Sequence, residues 1–148
     1  MEIKLWMDEN KQKIDPNLFS EKADKFAAEI FDGQIRTRGK ANKPTQLRKF
    51  YEEVLRFDAM LKELPKEEQK AKFEALLPYL KMLNAKTAYA MARDLVTKEF
   101  KDFITNSLKQ INDISDFRIF VNFFEAFMGF YRYYDEKKQP ERERGGRQ

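Results

Sequence analysis

Apolar residues recur at steps of three and four along most of this chain, which is the spacing of one face of an α-helix. The pattern is clearest at Phe19, Phe26, Ile30, at Leu47, Phe50, Tyr51, Val54, Leu61, at Leu80, Leu83, Val96, and at Phe100, Phe103, Ile104, Leu108. No stretch alternates apolar and polar residues with the period of two that a half-buried β-strand requires. The pattern predicts an all-α protein, a single-domain bundle of five or six helices.

Residues typical of helix ends divide this pattern. Asp15, which precedes a proline, predicts the start of the first helix, and Gly33 predicts its end. Thr45 and Ser115 are predicted to cap the second and the last helix, because a hydroxyl can accept an N–H from the first turn. Across residues 79–113 no breaker decides between one helix and two, and typical helix lengths favour two.

The last helical stretch is rich in aromatic residues. Those at helical spacing are Phe117, Phe120, Phe124, Phe127, Tyr131 and Tyr134. This spacing indicates a core-facing stripe and argues against a platform for base stacking, which exposes its rings among cations. Glu125 falls among these rings, and Arg93 is a candidate partner for its carboxylate.

The end of the sequence, EKKQPERERGGRQ, has no apolar residue. We therefore predict a helical domain over residues 1–135 and a disordered, mobile charged tail over residues 136–148.

Composition excludes several classes of chemistry. The chain has 148 residues, no Cys and no His, so disulfide scaffolds, zinc fingers, thiol catalysis and histidine-based catalytic sites are all excluded. A carboxylate-only hydrolase is not excluded, but no pair of acidic residues can be nominated for one. No segment resembles a signal peptide or a membrane span. The chain is predicted to be a cytoplasmic protein that is not an enzyme and has no cofactor, no metal site and no catalytic residue.

Positive charge is concentrated in one part of the chain. Between Gly33 and Tyr51 there is no acidic residue, and the cations there are Arg36, Arg38, Lys40, Lys43, Arg48 and Lys49. This stretch therefore carries +6, and because the whole chain carries +4, the remainder carries −2. Its first part, up to Pro44, is predicted to be a basic loop. A near-neutral body with one basic zone favours a local contact with a polyanion, and a solvated loop is the plain alternative.

Two helical stretches carry cations that could contact a polyanion. Arg56 lies eight residues after Arg48 and seven after Lys49, and all three lie off the apolar stripe of the second helix. Arg48 can also pair with Glu52 four residues later. A second acid-free stretch is LKMLNAKTAYAMAR, which contains Lys81, Lys86 and Arg93. Its alanines equally favour close packing between helices.

These observations leave more than one class of function open. A basic helical protein can bind nucleic acid through phosphates, or it can serve as a protein–protein interaction module whose basic surface binds an acidic partner. No short-turn pair of helices with a basic second helix supports a helix-turn-helix protein.

Three stretches of the chain resemble one family, the small subunit of type III-A (Csm-type) CRISPR effector ribonucleoprotein complexes. TQLRKFYEEV resembles the opening of that family's signature helix, and LKMLNAKTAYAMAR resembles its second block. DFRIFVNFFEAFMGFYRYY is similar to its C-terminal block. The order and spacing of the three cover roughly residues 43–134. Pro44 and Arg132 depart from the family pattern.

The resemblance implies a non-catalytic structural subunit that stacks with copies of itself and with other subunits of the complex, against guide RNA and target RNA. By position in the motifs, it assigns RNA contacts to Arg48 and Lys49 and to Lys81, Lys86 and Arg93. It adds Arg118 and Arg132 from the last block. Together with Lys43 and Arg56, these are the predicted RNA-binding residues.

Overall fold

The computed structural model describes the backbone of residues 1–147 and the side chains of residues 1–138. The chain begins with an extended segment and a π-helical turn, Leu18–Lys22, that continues into the first α-helix. The α-helices are α1 (Ala23–Arg36), α2 (Pro44–Lys62), α3 (Lys66–Leu80), α4 (Leu83–Ala92), α5 (Lys98–Gln110) and α6 (Ile114–Arg147). No strand occurs in the described backbone, so the all-α prediction is confirmed.

Helix α6 forms the centre of the bundle and packs mainly against α1 and α2, while α4 packs against α5. Its aromatic residues are buried as the spacing predicts, and Phe117, Phe120, Phe124, Phe127 and Tyr131 are fully buried. The ring of Phe103 on α5 lies within 6.0 Å of each of the rings of Phe26, Phe100, Phe120, Phe123, Phe124 and Phe127, measured between centroids. Such tilted aromatic contacts add to the free energy gained by burying the rings.

The connection between α1 and α2 is short and ordered around one side chain, Asn42. Asn42 Nδ2 donates to the Ile30 carbonyl at 3.0 Å and to Thr97 Oγ1 at 2.9 Å, and its Oδ1 accepts the Thr97 N–H at 3.0 Å. Its backbone N–H donates to the Leu95 carbonyl at 2.9 Å, and its carbonyl accepts from Gln34 and Tyr131. The basic loop is thus joined to α1, α5 and α6 by a fully buried residue.

The predicted helix end at Gly33 is wrong. Helix α1 continues to Arg36, and Gly33 is needed for close packing instead. A Cβ at Gly33 would lie 2.8 Å from Asn42 Nδ2 and 2.8 Å from Thr97 Cγ2. The absence of a side chain lets Asn42 reach its partners.

Two glycines inside helices are expected to respond oppositely to alanine. Gly33→Ala should lower the free energy of unfolding by about 2 kcal/mol, because the new methyl group overpacks against Asn42 and Thr97. Gly129→Ala on α6 has open space around its Cβ and should raise the free energy of unfolding by about 0.5–1 kcal/mol through helix propensity. Urea unfolding followed by circular dichroism measures both. Equal effects of the same sign would contradict this packing role of Gly33.

Other helix ends differ from the predicted ones. Lys43, in an extended conformation, is the N-cap of α2, and Pro44 is its first residue, so Thr45 already lies inside the helix. Asp113 Oδ1 accepts the Asp116 N–H at 2.9 Å at the start of α6, which is the role predicted for Ser115. The proposed division of residues 79–113 is confirmed, because α4 ends at Ala92 and Asp94 adopts a positive φ of 61° before α5 begins.

The N-terminal segment packs on the junction between α5 and α6. Leu5 donates its N–H to Gln110 Oε1 at 2.8 Å, and Trp6 Nε1 donates to Asp116 Oδ1 at 2.7 Å. Lys11 Nζ also contacts Asp116, at 3.0 Å. Asp116 is fully buried, and it ties the start of the chain to the start of its longest helix.

The backbone of α6 extends to Arg147, so residues 136–147 are described as helical. The predicted domain division at residue 135 and the mobility of residues 136–148 stay predictions, because the side chains beyond residue 138 and the whole of Gln148 lie outside the described part.

Within the described residues, no helix is long and apolar enough to cross a membrane.

Candidate nucleic-acid interface

A surface groove of about 380 Å³ lies between α2 and α4. Its exposed rim carries Lys49 from α2, Lys86 from α4 and Arg93, which directly follows α4. Among the residues lining it, Phe50, Leu83 and Ala90 are buried and apolar. The fold therefore brings together cations from two stretches that are more than thirty residues apart along the chain.

Glu53 is the one acidic residue among the described residues that line this groove. Its Oε1 accepts from Arg56 Nη2 at 2.7 Å and lies 3.5 Å from Lys86 Nζ. The hydrogen bond from Arg56 and the charge of Lys86 lower the pKa of Glu53, although partial burial opposes them. The ionised carboxylate links α2 to α4, and with Lys49 and Arg93 the cluster carries a net charge of about +3, which suits a polyanion.

The helix ends around the groove add to its positive potential. In the described part of the chain, α2 and α4 are the helices with no acidic residue in their first turn. The N-terminus of a helix carries partial positive charge, and an acidic side chain there would stabilise it. Arg48 and Lys49 lie in the early turns of α2 instead. Cations at this end lower the stability of the helix somewhat and favour the binding of an anion there.

A second basic cleft, of about 510 Å³, lies at the N-terminal end of α2. Lys43 lines it together with Arg38 and Lys138, and Asp135 is its acidic member. Lys138 Nζ donates to Gln34 Oε1 and lies 5.7 Å from the centroid of the Phe31 ring. The cleft lies beside the first turn of α2, since Pro44 and Thr45 also line it.

The other predicted RNA-binding residues lie outside the groove. Arg48, Lys81 and Arg132 are exposed, and none of their side chains forms an ion pair or hydrogen bond with another described residue. Arg118 Nη2 instead donates to Gln69 Oε1 at 2.5 Å and thereby joins α6 to α3.

Part of the basic loop's charge is already neutralised within the protein. Arg36 pairs with Asp32 at 2.9 Å and with Glu99 at 2.8 Å, and these carboxylates raise the pKa of its guanidinium. Lys40 Nζ lies 3.5 Å from Asp94. The cations of this stretch whose side chains form no ion pair with another described residue are therefore Arg38, Lys43, Arg48 and Lys49.

Sequence reasoning missed three members of the two sites. Glu53 was not singled out, because its contact with Lys86 forms only when α4 lies beside α2, although Arg56 is a local i,i+3 partner. Lys138 fell within the predicted tail. Tyr89 lines the groove as an exposed ring, and its position inside the lysine-bearing stretch was the signal that could have identified it.

Glu125 does not need the partner that was suggested for it. Its side chain is exposed on the solvent side of α6, and Arg93 instead lies over the ring of Tyr89, with its Cζ 5.6 Å from the ring centroid. Across the described residues there is no group of three or more His, Cys, Asp or Glu side chains placed to hold a metal ion.

The chain matches the model of a known protein family. The family model described as Csm2 Type III-A matches residues 13–137, which is most of the chain and includes both basic sites apart from Lys138. Searches of curated proteins and of solved structures find no significant match.

Proposed function

Because this chain belongs to the Csm2 Type III-A family, it is a structural subunit of a type III-A CRISPR complex, and we propose that it holds RNA there through the α2–α4 groove. Lys49, Lys86 and Arg93 neutralise phosphates of guide RNA and target RNA, without catalysis. The observation that carries this proposal is the convergence of cations from two helices around a single carboxylate.

The remaining predicted residues extend the contact area in this proposal. Lys43 continues the basic surface past the N-terminus of α2. The exposed side chains of Arg48, Lys81 and Arg132, which form no ion pair with other described residues, contact phosphates or acidic groups of other subunits. Copies of the protein stack with one another and with partner subunits in the assembled particle, which works in the cytoplasm.

Replacing Lys49, Lys86 and Arg93 together with alanine is expected to weaken binding of single-stranded RNA on the order of 10- to 100-fold at low salt. Three lost phosphate contacts should also reduce the slope of log K against log salt by about 2, since each contact contributes about 0.7 for a single strand. Fluorescence anisotropy with a labelled oligouridylate, repeated across a salt series, measures both quantities.

A matched control removes the same charge elsewhere. Lys66, Lys70 and Lys72 are exposed on α3, and their replacement with alanine should leave RNA affinity nearly unchanged. If both triple variants lost affinity equally, net charge alone would explain binding and the groove would have no special role. Two results would favour the protein–protein alternative instead of this proposal. One is an RNA affinity that does not depend on salt. The other is a complex with an acidic partner protein that survives nuclease treatment, while the protein fails to bind RNA.

A further inference from the structure

Tyr89 differs from the tyrosines that stabilise the bundle. Tyr131 is fully buried and donates its hydroxyl to the Asn42 carbonyl, and Tyr134 donates to Asp24. Tyr51 packs its ring 5.2 Å from that of Phe124. Tyr89 is 64% exposed, and its hydroxyl forms no hydrogen bond with the described residues. Among the described residues its ring therefore makes no aromatic contact, and Arg93 is the one cation over it.

The surroundings of Tyr89 match what a single-stranded nucleic acid requires. The ring lines the α2–α4 groove beside Lys49 and Lys86, so cations and an aromatic surface lie in one groove. The guanidinium of Arg93 occupies one face of the ring at 5.6 Å from its centroid. No other ring or cation among the described residues lies on the Tyr89 ring, and with 64% of the residue exposed the ring is accessible to a ligand. Binding of single strands combines such a charged groove with aromatic stacking.

We propose that Tyr89 stacks on an unpaired base of RNA bound in this groove, with Arg93 positioning the ring from its other face. This inference rests on the proposed function and adds a preference to it. The flat faces of bases in a continuous duplex are covered by their neighbours, whereas an unpaired base offers its face to an aromatic side chain. The groove therefore selects RNA with unpaired nucleotides, and its lysines hold the flanking phosphates.

The test compares two substitutions of Tyr89 in the full chain. Tyr89→Leu keeps an apolar, helix-compatible side chain and removes the ring, and it should weaken binding of an oligouridylate about tenfold. The slope of log K against log salt should not change, because no charge is lost. Tyr89→Phe keeps the ring and should bind within about twofold of the unmodified protein. Tyr79→Leu is the matched control, since Tyr79 is 62% exposed but lies outside the groove.

A second readout follows the stacked base itself. An oligouridylate that carries one 2-aminopurine should lose fluorescence on binding to the unmodified protein and to Tyr89→Phe, and should lose much less on binding to Tyr89→Leu. An abasic strand should bind the unmodified protein about as weakly as the base-bearing strand binds Tyr89→Leu.

The outcomes separate this inference from the proposed function. If Tyr89→Leu binds like the unmodified protein while the triple variant of Lys49, Lys86 and Arg93 loses affinity, stacking is overturned and the phosphate contacts stand. An equal loss in Tyr79→Leu also overturns the stacking role. If neither the triple variant nor Tyr89→Leu changes RNA affinity, both proposals are wrong.

Discussion

Asn42→Ala is expected to lower the free energy of unfolding by about 4 kcal/mol, which is a large part of the stability of a typical domain. The substitution removes three hydrogen bonds of the side chain, to Ile30 and to the backbone and hydroxyl of Thr97. Buried groups that lose their partners cost more than the bonds themselves, because they are left without water. Asn42 also has a φ of 60°, which alanine tolerates less well than asparagine.

Urea unfolding of Asn42→Ala beside Asn122→Ala measures this effect. Asn122 is exposed on α6, and its replacement should change the free energy of unfolding by less than about 0.5 kcal/mol. Asn42→Gly relieves the backbone conformation without restoring the side chain, so it should recover only about 1 kcal/mol of the loss. A loss below about 1 kcal/mol in Asn42→Ala would contradict the role assigned to this hydrogen-bond network.

Asp116→Ala is expected to lower the free energy of unfolding by about 3 kcal/mol. The buried carboxylate accepts from Trp6 Nε1 at 2.7 Å, from Lys11 Nζ at 3.0 Å, and from the backbone N–H groups of Asn112 and Asp113 at 2.9 and 3.2 Å. Without it, these donors lose a shared acceptor, and the N-terminal segment loses its attachment to α6.

The chain's single tryptophan makes this prediction easy to observe. Trp6 emission of folded Asp116→Ala should lie at longer wavelength than that of the unmodified protein, because the indole becomes more exposed. In a urea titration of this variant, the detachment of the N-terminal segment reported by Trp6 should occur at lower urea than the loss of the helical circular dichroism signal. Asp32→Asn is the control, since Asp32 forms an exposed i,i+4 pair with Arg36 and should contribute less than about 0.5 kcal/mol. Unchanged Trp6 emission in Asp116→Ala would show that the segment is held by other contacts.

Local spacing predicted the parts of the fold that depend on neighbours along the chain. The buried stripe of α6 and the apolar face of α2 follow the helical period, and they were predicted correctly because a core-facing helix must present one apolar side. The separation of α4 from α5 also followed from typical helix lengths.

Two kinds of competition explain the helix ends that were predicted wrongly: contacts with residues far along the chain, and alternative capping residues nearby. Gly33 looks like a helix end until Asn42 and Thr97 are seen to occupy the space beside it, and Thr97 is 64 residues away along the chain. Thr45 and Ser115 are good capping residues, but a preceding proline and Asp113 respectively fix the helix starts. In local sequence alone these competing choices are nearly equal in free energy.

The same distinction applies to the candidate site. The acid-free stretches around Lys49, Lys86 and Arg93 indicated that these residues are candidates for binding a polyanion. The structure brings the three side chains to one groove. Arg118 fits the family motif equally well, yet its guanidinium contacts Gln69 on α3. Which cations converge depends on how α2 packs beside α4, and no local pattern specifies that.

The buried amide of Asn42 also determines how salt experiments on this protein should be interpreted. Asn42 lies two residues before α2 begins, and it bonds to Leu95 and Thr97 in the segment just after α4, so it fastens the two walls of the groove together at one end. The surface pair of Lys86 and Glu53 is screened as ionic strength rises, whereas buried hydrogen bonds between neutral groups are not. The spacing of the walls therefore persists in concentrated salt. If the protein binds RNA as proposed, a fall in affinity with ionic strength then measures released counterions and not a change in the shape of the protein.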